Sequence, residues 1–83
     1  MKEQHFEEHC GVEFSGHNFR IKGECKRDGN EVRFKYYAVC PKCKKKMELE
    51  RTMKIRGSFH GTGYVCSCDN WFDVLIQTKP INS

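Results

Sequence analysis

Cys40-Pro41-Lys42-Cys43 and Cys66-Ser67-Cys68-Asp69-Asn70 decide how this chain folds. A Cys-x-x-Cys turn offers two thiolates at a separation that suits one tetrahedral ion, and four such ligands close a structural zinc site. Pro41 stiffens the first turn, and backbone N–H groups past Cys40 can donate to the sulfurs and offset their charge. Twenty-two residues separate Cys43 from Cys66, enough for a strand, a loop and a returning strand. The expected cofactor is therefore one structural Zn2+ on Cys40, Cys43, Cys66 and Cys68. The single residue inside the second pair leaves an alternative, in which His60 replaces Cys66 or Cys68.

The rest of the composition sets the competing explanation. Six cysteines fall in 83 residues, and six in a secreted chain would suggest three disulfides. The start, Met1-Lys2-Glu3-Gln4-His5-Phe6-Glu7-Glu8-His9, is polar and acidic rather than signal-like. No apolar run approaches the roughly 20 residues that span a membrane. The expected location is thus cytoplasmic, where thiols stay reduced and paired cysteines bind metal. Cys10 and Cys25 lie outside the pairs. Cys25 reads as a small buried hydrophobe, and a second metal site from Cys10, Cys25, His5, His9 and His17 is the alternative.

Upstream of the first pair, residues 18–39 read as a β-hairpin. Phe19, Ile21 and Cys25 alternate with Arg20, Lys22, Glu24 and Lys26, and Val32, Phe34 and Tyr36 alternate with Arg33, Lys35 and Tyr37. Asp28-Gly29 between them suits a two-residue turn. That register sets Cys25 against Val32, Ile21 against Tyr36, Glu24 against Arg33 and Lys26 against Glu31. It also sets Lys22 against Lys35, a like-charge pair. Residues 1–17 read as an acidic arm, with a weak strand or turn signal around Val12, Phe14 and Gly16.

Downstream, Met47, Leu49, Met53 and Ile55 alternate with Glu48, Glu50, Thr52, Lys54 and Arg56, interrupted by Arg51. The residue types favour a helix, but the period of two favours a strand. Three glycines in 57–63 predict a loop. Trp71-Phe72-Asp73-Val74-Leu75-Ile76-Gln77 reads as a mostly buried final strand, and 79–83 as a tail. The expectation is one all-β domain over 1–83: an arm (1–17), a hairpin (18–39), a metal-stapled unit (40–78) and a tail (79–83).

Across residues 31–78 the chain resembles the zinc-ribbon superfamily: a Cys-Pro-Lys-Cys knuckle, a β-excursion, a second cysteine pair and a final strand. The resemblance implies a ribbon of about three antiparallel strands around the metal. The second pair departs from the usual two-residue spacing and lacks the following glycine; Asn70 is the residue expected to take the left-handed conformation there. Ribbons serve many roles, so the resemblance does not assign one.

Chemistry narrows the function. Four cysteine ligands leave no open position for water. There is no P-loop, G-x-G-x-x-G or Ser/His/Asp arrangement, and no small-molecule site is evident. Ribbons of the transcript-cleavage type carry acids on their tip, whereas Arg56-Gly57-Ser58-Phe59-His60-Gly61 carries none. No catalytic residues are expected. Residues 18–56 hold thirteen Lys/Arg and five Asp/Glu, a net of +8 against −3 for 1–17 and −1 for 57–83. The expected nucleic-acid face comprises Arg20, Lys22, Arg33, Lys35, Lys42, Lys44, Lys45, Lys46, Lys54 and Arg56, with Phe59 and His60 available for stacking. The alternative partner is a protein: an adaptor or inhibitor that docks on a larger enzyme such as transcription machinery, through the arm or an edge strand.

Overall fold

The computed structural model describes residues 4–55 and 59–81. It is all-β, with seven strands: β1 (His5–His9), β2 (Val12–His17), β3 (Phe19–Asp28), β4 (Glu31–Val39), β5 (Lys46–Lys54), β6 (Phe59–Val65) and β7 (Trp71–Pro80). They form two antiparallel sheets, one in the order β1-β2-β7-β6 and one in the order β3-β4-β5. Among the described residues no helix is long and apolar enough to cross a membrane.

Strict alternation explains the packing. Val12 and Phe14 of β2, and Phe72, Val74 and Ile76 of β7, are buried. They meet Phe19 and Ile21 of β3 and Val32, Phe34, Tyr36 and Ala38 of β4 in one apolar layer between the sheets. Such sheet-on-sheet burial is the main favourable term available to a chain this small. The Phe14 and Phe34 rings pack edge-on at 4.9 Å. The chain changes sheets at Asn18, which takes φ 64. Its side-chain amide donates to the Asp73 carbonyl (2.7 Å), and its carbonyl accepts from Val39 N–H (3.0 Å).

Several expectations are corrected. Residues 5–17 are not an arm: β1 and β2 are paired strands, and β2 continues onto β7. The turn of the β3–β4 hairpin is Gly29-Asn30, with Asp28 opposite Glu31. Cys25 therefore faces Phe34 rather than Val32, and Lys26 faces Arg33. A bulge between Ile21 and Cys25 then restores the expected register, so Ile21 does face Tyr36. Gly23 sits in that bulge with φ 98, a conformation that side chains oppose. The bulge has an electrostatic benefit. Lys22 and Lys35 no longer oppose each other: Lys22 pairs with Glu48 at 3.0 Å and Lys35 with Glu24 at 3.8 Å.

Residues 46–54 are a strand, not a helix, held in register along all of β4. The predicted loop 57–63 is a strand from Phe59 onward, paired with β7; Arg56, Gly57 and Ser58 lie outside the described residues. The last strand runs to Pro80, taking two residues from the expected tail.

Candidate metal centre

The register of the two sheets brings the cysteine pairs together. Cys40 follows the end of β4 and Cys66 the end of β6, so each sheet delivers one knuckle to the same end of the sandwich. The four sulfurs of Cys40, Cys43, Cys66 and Cys68 lie within 4.8 Å of one another. Cys40 and Cys66 are buried against the core, while Cys43 and Cys68 face solvent.

The two knuckles are the same construction at two lengths. In the first, Lys44 N–H donates to the Cys40 carbonyl (2.9 Å) and Cys40 N–H to the Lys45 carbonyl (3.0 Å). In the second, Asp69 N–H donates to the Cys66 carbonyl (2.8 Å) and Cys66 N–H to the Asn70 carbonyl (3.0 Å). Each bond in the second spans one residue fewer. The residue after the second cysteine takes φ 67 in both, Lys44 in one and Asp69 in the other. The left-handed position is thus Asp69, not Asn70. Asn70 instead donates its amide to Cys40 Sγ at 3.6 Å. The Cys66-x-Cys68 spacing is a shortened turn that still presents both sulfurs.

The electrostatics fit a cation. Burial pushes the Cys40 thiol up, but the N–H groups of Cys43 and Lys42 and the Asn70 amide outweigh it and bring the pKa down to about 6. At Cys43 the Lys45 N–H favours the thiolate, yet the sulfurs of Cys66, Cys68 and Cys40, together with burial, push its pKa up to about 12. The Cys66 thiol is lowered, chiefly by the Cys68 N–H. The thiolate is favoured at Cys40 and Cys66, and at Cys43 it is opposed by the neighbouring sulfurs. A divalent ion removes that repulsion, and four cysteine sulfurs are a donor set that zinc accepts.

His60 is not among the clustered ligands. It lies on β6 opposite Ile76, with its pKa lowered by burial and by Arg51. Both readings of Cys10 and Cys25 are overturned: they form a disulfide across 15 residues of sequence, tying the β1–β2 turn to β3. Nor do the nearby histidines gather there. His5 and His9 both contact the Glu7 carboxylate (2.5 and 2.8 Å), and His17 contacts Asp73 (3.0 Å).

The expected basic face separates into three groups. Lys42, Lys44, Lys45 and Lys46 surround the metal end, joined by Arg20 at the start of β3. Lys22, Arg33 and Lys35 lie along the outer face of the β3-β4-β5 sheet, each with a carboxylate partner, Arg33 with Glu50 at 2.7 Å. Lys54 and Phe59 lie at the opposite end from the knuckles. The sequence reading missed two features of the metal end. Lys45 Nζ donates to Ser67 Oγ (2.7 Å), bridging the knuckles. Trp71, expected in a mostly buried strand, is 64% exposed. Alternation places it on the face opposite Phe72, where its ring lies over Gly63. No family model, curated protein or solved structure matches the chain.

Proposed function

We propose that this chain is a non-catalytic zinc module that binds nucleic acid at its metal end. The observation that carries the reading is the distribution of paired and unpaired cations. On the sheet face, Lys22, Arg33 and Lys35 are balanced by Glu48, Glu50 and Glu24. Among the described residues no carboxylate pairs with Lys42, Lys44, Lys45 or Lys46. Unpaired lysines are the groups that exchange counterions for phosphates. Trp71 offers an indole at the same end, a surface on which a base can stack. The zinc-ribbon resemblance agrees with the paired knuckles, and zinc is the metal that four cysteines favour.

The test is binding of a fluorescent single-stranded oligonucleotide across a salt series, with the zinc-loaded protein. Lys44→Glu with Lys46→Glu should weaken binding by more than about tenfold and flatten the salt dependence by roughly 0.7 per lost phosphate contact. Arg33→Glu should have little effect. Equal affinity for all three proteins, or no binding by any, would overturn the reading.

A protein-adaptor role is favoured by a different observation. Phe6, Phe59 and Val65 are 52%, 70% and 64% exposed on the outer face of the β1-β2-β7-β6 sheet. Exposed large apolar groups on one face are a feature of docking surfaces. Under that reading Phe59→Ser abolishes stoichiometric capture of a partner and leaves oligonucleotide binding unchanged.

A further inference from the structure

A hollow of about 310 Å³ opens beside the first knuckle, where β1, the β2–β3 crossing and the end of β4 meet. Arg20, Lys44, His5, His17 and Asn18 line it, and no Asp or Glu does. The hollow between the knuckles, with Lys45 and Lys46, also lacks an acid but is walled mostly by apolar groups and cysteines; two other hollows differ. The one beside Cys25 contains Lys26, Arg33 and Lys35, but also Glu24 and Glu50. The one near the β3–β4 turn contains Lys26 and Arg33 with Asp28 and Glu31. Cations in those places are answered by acids of the same chain.

From this we infer that the hollow is a phosphate site that takes the terminal phosphate monoester of a nucleotide or of a nucleic-acid strand. Arg20 uses one guanidinium N–H on the Phe19 carbonyl (2.8 Å), which anchors the side chain and leaves other donors for an oxyanion. Lys44 adds a point charge from a backbone fixed at φ 67. The two imidazoles are oriented from behind: Glu7 holds His5, and Asp73 holds His17. Glu7 is further occupied by the Ile21 N–H at 3.0 Å. The Glu7 carboxylate is engaged by ring and backbone donors and that of Asp73 by the His17 ring, and neither is in the lining. Val39 and Pro41 complete the wall with apolar surface, suited to the sugar that carries the phosphate.

For a strand, the inference rests on the nucleic-acid reading above; for a free phosphate it does not. The experiment separates the two. Amide chemical shifts of the zinc-loaded protein are followed on titration with inorganic phosphate, a 5′-mononucleotide, and one oligonucleotide with and without a 5′-phosphate. The inference expects shifts centred on Asn18 and Arg20 with the mononucleotide. It also expects about tenfold tighter binding of the phosphorylated oligonucleotide, as befits a charge-assisted contact. Arg20→Gln should erase that preference, so that the phosphorylated and hydroxyl-ended strands bind this variant equally. Equal binding of both oligonucleotides overturns the strand site and leaves the proposed function standing. Shifts with phosphate and mononucleotide but no oligonucleotide binding support the site as one for free phosphate esters and remove the proposed function. No shift near Asn18 and Arg20 with any phosphorylated probe overturns the inference.

Discussion

The Asn70 side-chain amide donates to Cys40 Sγ across 3.6 Å, so the second knuckle stabilises a ligand of the first. It is one of four hydrogen bonds that bring the Cys40 thiol down to a pKa of about 6 despite burial. Groups that hydrogen-bond to metal ligands typically tune affinity by about 10–100-fold. Asn70→Ala is therefore expected to lower zinc affinity within that range, read by competition with a chromophoric chelator, and to leave one zinc per chain in native mass spectrometry. Unchanged affinity would show that the contact does not act on the ligand.

Cys40→Ser is expected to unfold the domain, and a chelator is expected to lower its melting temperature sharply. A structural ion contributes its binding free energy to folding because the unfolded chain has no site. Cys40 is also part of the core, fully buried between the sheets. A variant of native stability with no zinc would remove the metal reading altogether.

Gly16 lies where β2 crosses closest to β7. A Cβ there would sit 1.7 Å from the Leu75 carbonyl oxygen, on backbone that cannot rotate away. Its φ of 148 adds conformational strain to any side chain. Gly16→Ala should break the β2–β7 pairing and cost upwards of about 4 kcal/mol in urea denaturation. Gly29→Ala, which meets nothing within 4 Å, should be far milder.

The Cys10–Cys25 disulfide closes a loop of 15 residues. Chain-entropy arguments assign about 3 kcal/mol to a loop of that length. The double variant Cys10→Ser, Cys25→Ser should lose roughly that stability in denaturant. Its zinc content should be unchanged, since neither cysteine is near the metal ligands.

Glu7 receives His5, His9 and the Ile21 N–H, and these outweigh burial to hold its pKa below the ordinary 4.5. A folded-state pKa below the unfolded one means the unfolded chain binds more protons as pH falls. The contribution is present above the unfolded pKa and is lost as pH drops through the folded value. Melting curves of wild type and Glu7→Gln, compared from about pH 6 to pH 3, should converge at the acid end. A constant gap between them would contradict this.

Much of the fold was legible because alternation is clear in β4 and β5 and in the first residues of β3. The hairpin strands and the strand at 46–54 follow from a period of two and the final strand from its apolar run, while Ile21 meets Tyr36 because the bulge offsets the displaced turn. What was hidden depended on long-range pairing. Val12 and Phe14 show too short a pattern to announce β2, which is stabilised by β7, far away in sequence. The glycines of 57–63 suggest a loop, yet Gly61 and Gly63 are accepted in β6, the latter under the Trp71 ring. The cysteine pairs were visible from spacing alone. The shortened second turn was not, because only the hydrogen bonds reveal that it repeats the first. Cys10 and Cys25 look unrelated in sequence, and only the approach of the β1–β2 turn to β3 joins them.

The strand β7 begins beside the second knuckle at Trp71 and ends at Pro80, opposite Val12 and next to the Cys10 turn. An ion at the knuckles and the disulfide at Cys10–Cys25 therefore act as two bolts at opposite ends of one sandwich, each joining the same pair of sheets. They demand opposite chemistry, since the ion needs reduced sulfurs and the other bolt needs oxidised ones. An ion bound at the four thiolates before oxidation would shield them and let the remaining pair close without scrambling.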